Sequence, residues 1–230
     1  MKHYNLRSKL SNDRWTSCVK FDRLKEMFGD ENLIPLWVAD MDFRTPDFIV
    51  EALKKRCEHE IFGYTFGSDE YYESIINWVH YKHNWKIQRE WISYIPGIVK
   101  GIAFAIQCFT QKGDKVIIQP PVYHPFRIVP EKMKREVVYN PLKMVDGIYE
   151  MDFDHLESII DDECKVFDPL QPSQSGWDRL EKGNLGPAWP IFAPSTIILV
   201  ISDEIHAEMA YPQYTHYPFA SVSDTAASCS

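Results

Sequence analysis

Four short runs constrain this chain most: "KVIIQ" at 115–119, "REVVYN" at 135–140, "CKVF" at 164–167 and "IILVI" at 197–201. A strand with one wet face alternates apolar and polar residues. These runs are nearly all apolar, so both faces need cover, as in a parallel sheet flanked by helices. Helical stretches lie ahead of the runs, and strands alternating with helices define an α/β class. The stretch "TPDFIVEALKKRCEHEIFG" starts with Thr45 as N-cap and Pro46 at the first helical position, and Ile49, Ala52, Leu53 and Cys57 share one face. "GSDEYYESIINWVHYKHNW" sets Tyr72, Ile75, Ile76 and Val79 inward, and a third helix over 99–109 does the same with Ile102, Ala103 and Ile106. Residues 1–35 read as a polar arm, and "LIPLWVADMDF" after them as a short buried strand and turn ending near Asp40 and Asp42.

Composition removes several classes of function. A net charge of −8 repels nucleic-acid phosphates and anionic lipid. No run of roughly 18 apolar residues exists to span a membrane, and the N-terminus carries no apolar signal core. The five cysteines are odd in number, scattered and without a CxxC pair, which suits free thiols in a cytoplasmic setting. His80 and His83 share a helix face but no third ligand accompanies them, so no metal site is expected.

The strand "IILVI" stops at "SDEIH". In open α/β sheets ligands sit at the carboxyl ends of the strands, and there Asp203 could hold a buried cation such as a protonated ring nitrogen. The alternative is that Asp203 and Glu204 cap the next turn. "YIPGIVKGIAFAI" leads a glycine into a helix, where the amides of Gly97, Ile98 and Val99 could cradle a phosphate; a plain strand-to-helix turn is the other account. Tyr123 in "QPPVYHPF" could stack on a planar ligand at the same sheet edge or pack in the core. Tyr64 in "FGYTFG" could reach a neighbouring site or be an exposed loop residue.

Together, "RWTSCVKFD", "LIPLWVADMDF", "FGYT", "IPGIVKGIAFAI", "GDKVIIQPPVYHPF" and "VISDEIHAEM…HYPFASVSD" resemble the fold-type I pyridoxal-phosphate enzymes of the class I/II aminotransferase superfamily. The resemblance is to their cystathionine β-lyase branch, the MalY/PatB-type carbon–sulfur lyases. It implies the PLP-dependent transferase-like large domain, with a mostly parallel sheet sandwiched by helices. It implies pyridoxal 5′-phosphate as cofactor, a sulfur amino acid as substrate, and a homodimer. Asp203 then pairs with the pyridine nitrogen, Tyr123 stacks on the ring, Gly97, Ile98 and Val99 hold the phosphate, and His206 approaches the phenolic oxygen. Tyr64 reaches the partner subunit's cofactor phosphate. The implied reaction is α,β-elimination to a thiol, pyruvate and ammonia. A transaminase of the same fold is the neighbouring alternative.

Two departures stand against the resemblance. Where the family has "NPHNPxG", this sequence reads "DPLQPSQSG", inside a stretch 168–196 with five prolines, three glycines and no periodicity. Synonymous codons exist for Asp168 to Asp178 that, read one nucleotide later, spell ILCNPHNPVGI. Residues 168–194 are therefore expected to be an out-of-frame translation. The family's Schiff-base lysine lies in an "SxSKTFNLAG" motif that no lysine here matches, so no catalytic residue is assigned. The sequence reads as a truncated copy: an arm over 1–35, an incomplete cofactor-binding domain over 36–230, and no C-terminal small domain. On that reading the 230 residues are inactive as written, and a non-catalytic, dimerising remnant is the alternative to an enzyme.

Overall fold

The computed structural model describes residues 13–168, 198–210 and 215–221. The chain divides into two compact units, Met1–Phe66 and Gly67–Ser230.

In the second unit the four apolar runs become β1 (Lys115–Ile118), β2 (Glu136–Tyr139), β5 (Cys164–Asp168) and β6 (Leu199–Val200). They form one sheet in the order β2-β1-β5-β6. Each pairing is parallel, with Val116 opposite Val137 and Val166, and Phe167 opposite Val200. Alternate residues of β1 serve opposite faces. Ile117 packs with Leu156, Phe167, Val200 and Phe219, whereas Val116 and Ile118 pack with Ile102, Ile106, Phe126 and Val166. Both faces are thus covered: one by α7 (Phe153–Ile159), the other by α5 (Ile98–Phe109) and α6 (Pro125–Lys132). The expected α/β architecture, with a parallel sheet between helix layers, is the one observed.

Helix α4 (Asp69–His83) starts where the sequence places it. Ser68 accepts from the Tyr71 amide at 3.4 Å, and Asn84 closes the other end in the left-handed region at φ 51°. Its partly buried positions include Tyr72, Ile75, Ile76 and Val79, the expected inward set.

In this unit a hairpin and two helices are additional to the elements read from the sequence. A hairpin pairs β3 (Lys143–Val145) with β4 (Ile148–Glu150) through Asp146 and Gly147, both at positive φ. This is the two-residue turn that an Asp-Gly pair favours. Helix α7 is capped by Asp152, which accepts from the His155 amide at 3.0 Å and pairs with Lys143 of the hairpin at 2.6 Å. Helix α6 carries Pro125 in its first turn and Pro130 within it, which obscures it as a helical stretch.

The first unit corrects two expectations. "LIPLWVADMDF" is not a buried strand: Ile34 is 86% and Leu36 92% exposed. Side-chain bonds tie it to the preceding helix. Lys20, buried on α1 (Val19–Asp22), donates to the Asp40 carbonyl at 2.8 Å and to Asp42 at 2.9 Å, and the Trp37 indole donates to the Lys20 carbonyl at 3.0 Å. A short helix α2 (Leu24–Phe28) follows α1. Helix α3 (Asp47–Cys57) takes Pro46, not Thr45, as its N-cap, because Pro46 is extended while its carbonyl already accepts from Ile49 at 3.0 Å. Ile49, Leu53 and Cys57, which share the expected inward face, are exposed.

Arg135 locks the end of α5 to the start of β2. Its guanidinium donates to the Thr110 hydroxyl at 2.8 Å, the Thr110 carbonyl at 2.7 Å and the Met133 carbonyl at 2.6 Å. Charge-assisted bonds to otherwise orphaned helix carbonyls are strong. Arg135→Met is expected to lower unfolding free energy by about 2 kcal/mol, read from urea denaturation. An unchanged midpoint would show the guanidinium to be dispensable.

Candidate active site

The strands run in one direction, so their carboxyl ends form one edge. Helix α5 leads directly into β1 and packs on it through Ile102 and Ile106, so it runs back along the strand and brings its N-terminus to that edge. Gly97 is its N-cap at φ 108°, a conformation that side chains rarely adopt, with nothing within 4 Å of where a Cβ would stand. The first-turn amides, Ile98 and Val99 among them, have no acceptor within the helix and carry the positive end of its dipole. Ile98 and Val99 are themselves exposed.

Tyr123 follows β1 by five residues and is 58% exposed, lying edge-on to His124 with ring centroids 4.7 Å apart. That exposure rules out ordinary core packing, one of the two accounts the sequence left open. Asp203 lies three residues beyond β6, half-buried, and its Oδ1 accepts from the Ile205 amide at 3.0 Å. Asp203 therefore does cap the turn, using one of its two oxygens. His206 is exposed just beyond it. Tyr64 belongs to the first unit and is fully exposed.

The neighbouring carboxylates behave differently. Burial pushes the Glu204 carboxyl upward, but three hydrogen bonds outweigh it and leave the group below its ordinary range. They come from His216 Nε2 at 2.9 Å, the Phe219 amide at 2.7 Å and Ser202 Oγ at 3.0 Å. Asp168, the last residue of β5, is 4% exposed. Burial, and then the charge of Asp203, drive its carboxyl well above the usual range. Neither Asp168 as a neighbour of Asp203 nor Glu204 as an anchor was identified from sequence. The adjacent "DE" pair was the available signal, since consecutive residues in extended chain face opposite ways. The remainder of the stretch 168–196, with the out-of-frame expectation placed on it, lies outside the described residues.

Among the described residues no three metal-ligating side chains cluster, and His83 is turned toward Glu208, 3.5 Å away. No described helix is long and apolar enough to cross a membrane.

The model of the "Aminotransferase class I and II" family matches residues 31–167. The chain belongs to this family. Cystathionine beta-lyase PatB of Bacillus subtilis is 40% identical over 91% of the chain and 54% of its own length. Among solved structures, a PLP-bound putative aminotransferase from Clostridium difficile superposes with a TM-score of 0.90 at 35% identity, over 98% of this chain and 58% of that one. Cystalysin from Treponema denticola, which contains pyridoxal 5′-phosphate, gives 0.88 at 30% identity over the same shares. This member of the class I/II aminotransferases thus has the fold of those enzymes, and it spans about half the length of the curated relatives it matches.

The two shifted carboxyls move stability in opposite directions with pH. Asp168 binds its proton more tightly folded than unfolded, so its contribution falls as pH rises past the ordinary carboxyl range. Asp168→Asn is expected to stabilise the chain at neutral pH by about 2 kcal/mol and to flatten that decline. Glu204 is depressed, so its contribution holds above the ordinary range and is lost as pH falls through its folded value. Glu204→Gln should cost stability at neutral pH and remove that acid limb. Thermal melts across pH check both; melting curves with the wild-type pH dependence in either variant would contradict the assignment.

Proposed function

We propose that the C-terminal edge of this sheet binds pyridoxal 5′-phosphate and that the whole protein is a carbon–sulfur β-lyase. The observation that carries the reading is the pairing, on one edge, of a glycine-led helix N-terminus with the Asp203 carboxylate. The residues present suit the group: the helix end is open and favours a dianion, and a half-buried carboxylate favours a protonated ring nitrogen. The PLP-bound relatives of the same fold support it.

Gly97, Ile98 and Val99 would hold the phosphate through backbone amides, and Asp203 would keep the proton on the ring nitrogen. Tyr123 would cover one ring face and exclude water. His206 would approach the phenolic oxygen. The cofactor, when bound, supplies an electron sink that weakens bonds at an amino acid's α-carbon. The substrate is a sulfur amino acid: the α-proton leaves, the bond from β-carbon to sulfur breaks, and the thiol departs. Hydrolysis then releases pyruvate and ammonia. The names of the relatives, cystathionine beta-lyase among them, favour this over transamination. No lysine in these residues falls in the family's lysine motif, so none of them is assigned as the base for the elimination.

A homodimer belongs to the same proposal. Trp15, Ile34, Leu36, Ile61 and Phe62 of the first unit are large apolar side chains left in water, a set suited to cover by a second copy. Tyr64 would then reach the partner's cofactor phosphate.

The polypeptide of these 230 residues is expected to bind pyridoxal phosphate, seen by its visible absorbance and by equilibrium dialysis. Asp203→Asn should weaken that binding about tenfold, and Gly97→Val should weaken it as well. Cystathionine should yield no pyruvate. Absent binding would sink the cofactor reading. Pyruvate from a chain of confirmed mass would show that the base is within it.

A further inference from the structure

The turn after β6 is held on two sides. Its last ladder bond runs from the Ile201 amide to the Phe167 carbonyl at 3.0 Å. Beyond that, its backbone makes short-range bonds, from Ala207 to the Glu204 carbonyl and from Met209 to the His206 carbonyl. Such a turn has little stability of its own. Two carboxylates tie it to the rest of the unit. Glu204 gathers Ser202 Oγ, His216 Nε2 and the Phe219 amide, as above. Glu208 leaves the 207–209 turn toward α4. There it accepts from the Trp78 indole at 2.8 Å and lies 3.5 Å from His83 Nε2 and 3.9 Å from Lys82 Nζ. The rings of His83 and His216 meet edge to face, 5.4 Å between centroids. The contacts close a belt: α4 to Glu208, along the turn to Glu204, across to His216, and back through His83 to α4. Asp203 lies immediately before the belted segment 204–208, and the Ile205 amide inside that segment donates to its Oδ1.

We propose that Glu204 and Glu208 are positioning residues, and that the belt they close aims the Asp203 carboxylate toward the cofactor's ring nitrogen. The inference rests on the pyridoxal-phosphate reading and deepens it. Neither carboxylate touches the cofactor in this account. Both fix the backbone that follows Asp203, the Ser202 hydroxyl bond to Glu204 ties in the residue before it, and the shared histidine contact makes the two anchors one structure. A bond such as Trp78 to Glu208, with the indole half exposed, is weak singly. Orientation comes from closure of the ring of contacts, so opening it at one point should free the turn while the sheet stays intact.

The Ile205 amide reports the result directly, because it donates to Asp203 Oδ1. Hydrogen exchange at Ile205 is compared with exchange at Ile117 in the buried β1, for the full chain and for Trp78→Phe, Glu208→Gln and Glu204→Gln. Glu131→Gln, which breaks the separate Arg127 pair on α6, is the control. Trp78→Phe and Glu208→Gln are expected to speed exchange at Ile205 about tenfold while Ile117 is unchanged. Pyridoxal-phosphate affinity should fall in parallel, by about threefold to tenfold. Unchanged exchange at Ile205 in both surface variants overturns the proposal, and so does faster exchange with unaltered affinity. Should Glu204→Gln fail to fold, those two variants still decide. If the wild-type chain binds no pyridoxal phosphate, the cofactor reading fails by itself, and Ile205 exchange still shows whether the belt holds Asp203.

Discussion

Burial of β1 on both faces sets everything else in the second unit. Val116, Ile117 and Ile118 are almost wholly removed from water, and they alternate between two separate apolar clusters. A parallel strand gains that cover when its connections cross over as helices packed on the sheet. Once α5 feeds β1 and lies against it, the helix must run opposite to the strand. Its N-terminus then lands at the strand's carboxyl edge. The phosphate-suited helix end and the carboxylate beyond β6 share an edge because the topology has no other place for them. Site position follows from the core, before any property of the site residues enters.

That logic explains what could be read from the sequence. The four strands and α4 and α5 were legible, since each has a long or strongly patterned apolar set: Tyr72, Ile75, Ile76 and Val79 on α4, Ile102 and Ile106 on α5. The hairpin, α6 and α7 were not identified. Their segments are three to eight residues long, too short for periodicity to speak, and Pro130 sits inside α6. Asp146-Gly147 and the Asp152 cap were local signals that needed no period. Legibility of the site divided the same way. Asp203 and the Gly97 turn announce themselves at strand and helix ends. The partners of Glu204 and Glu208 lie far away in the chain, from α4 to the segment after the turn, and spacing cannot show them.

The first unit shows the limit of apolar content as a guide. "LIPLWVADMDF" has a strand's composition, yet a strand needs a partner with free ladder groups. Lys20 supplies its ammonium to the Asp40 carbonyl and Asp42, and its own carbonyl to the Trp37 indole, so one residue of α1 ties the segment down at three points. Ile34 and Leu36 are left outward while Trp37 and Val38 are partly buried. Apolar composition alone thus did not decide between strand and loop here.

Asp168, Asp203 and Glu204 show how surroundings divide identical chemistry. Glu204 is partly buried and stays ionised because three donors reach it. Asp203 is half-buried with one amide donor and an oxygen to spare for a cation. Asp168 is the most buried of the three; burial, and then the like charge of Asp203, hold its carboxyl well above the usual range, so the two carboxylates oppose each other. An apolar side chain at the end of β5 would fit the strand and leave Asp203 unopposed.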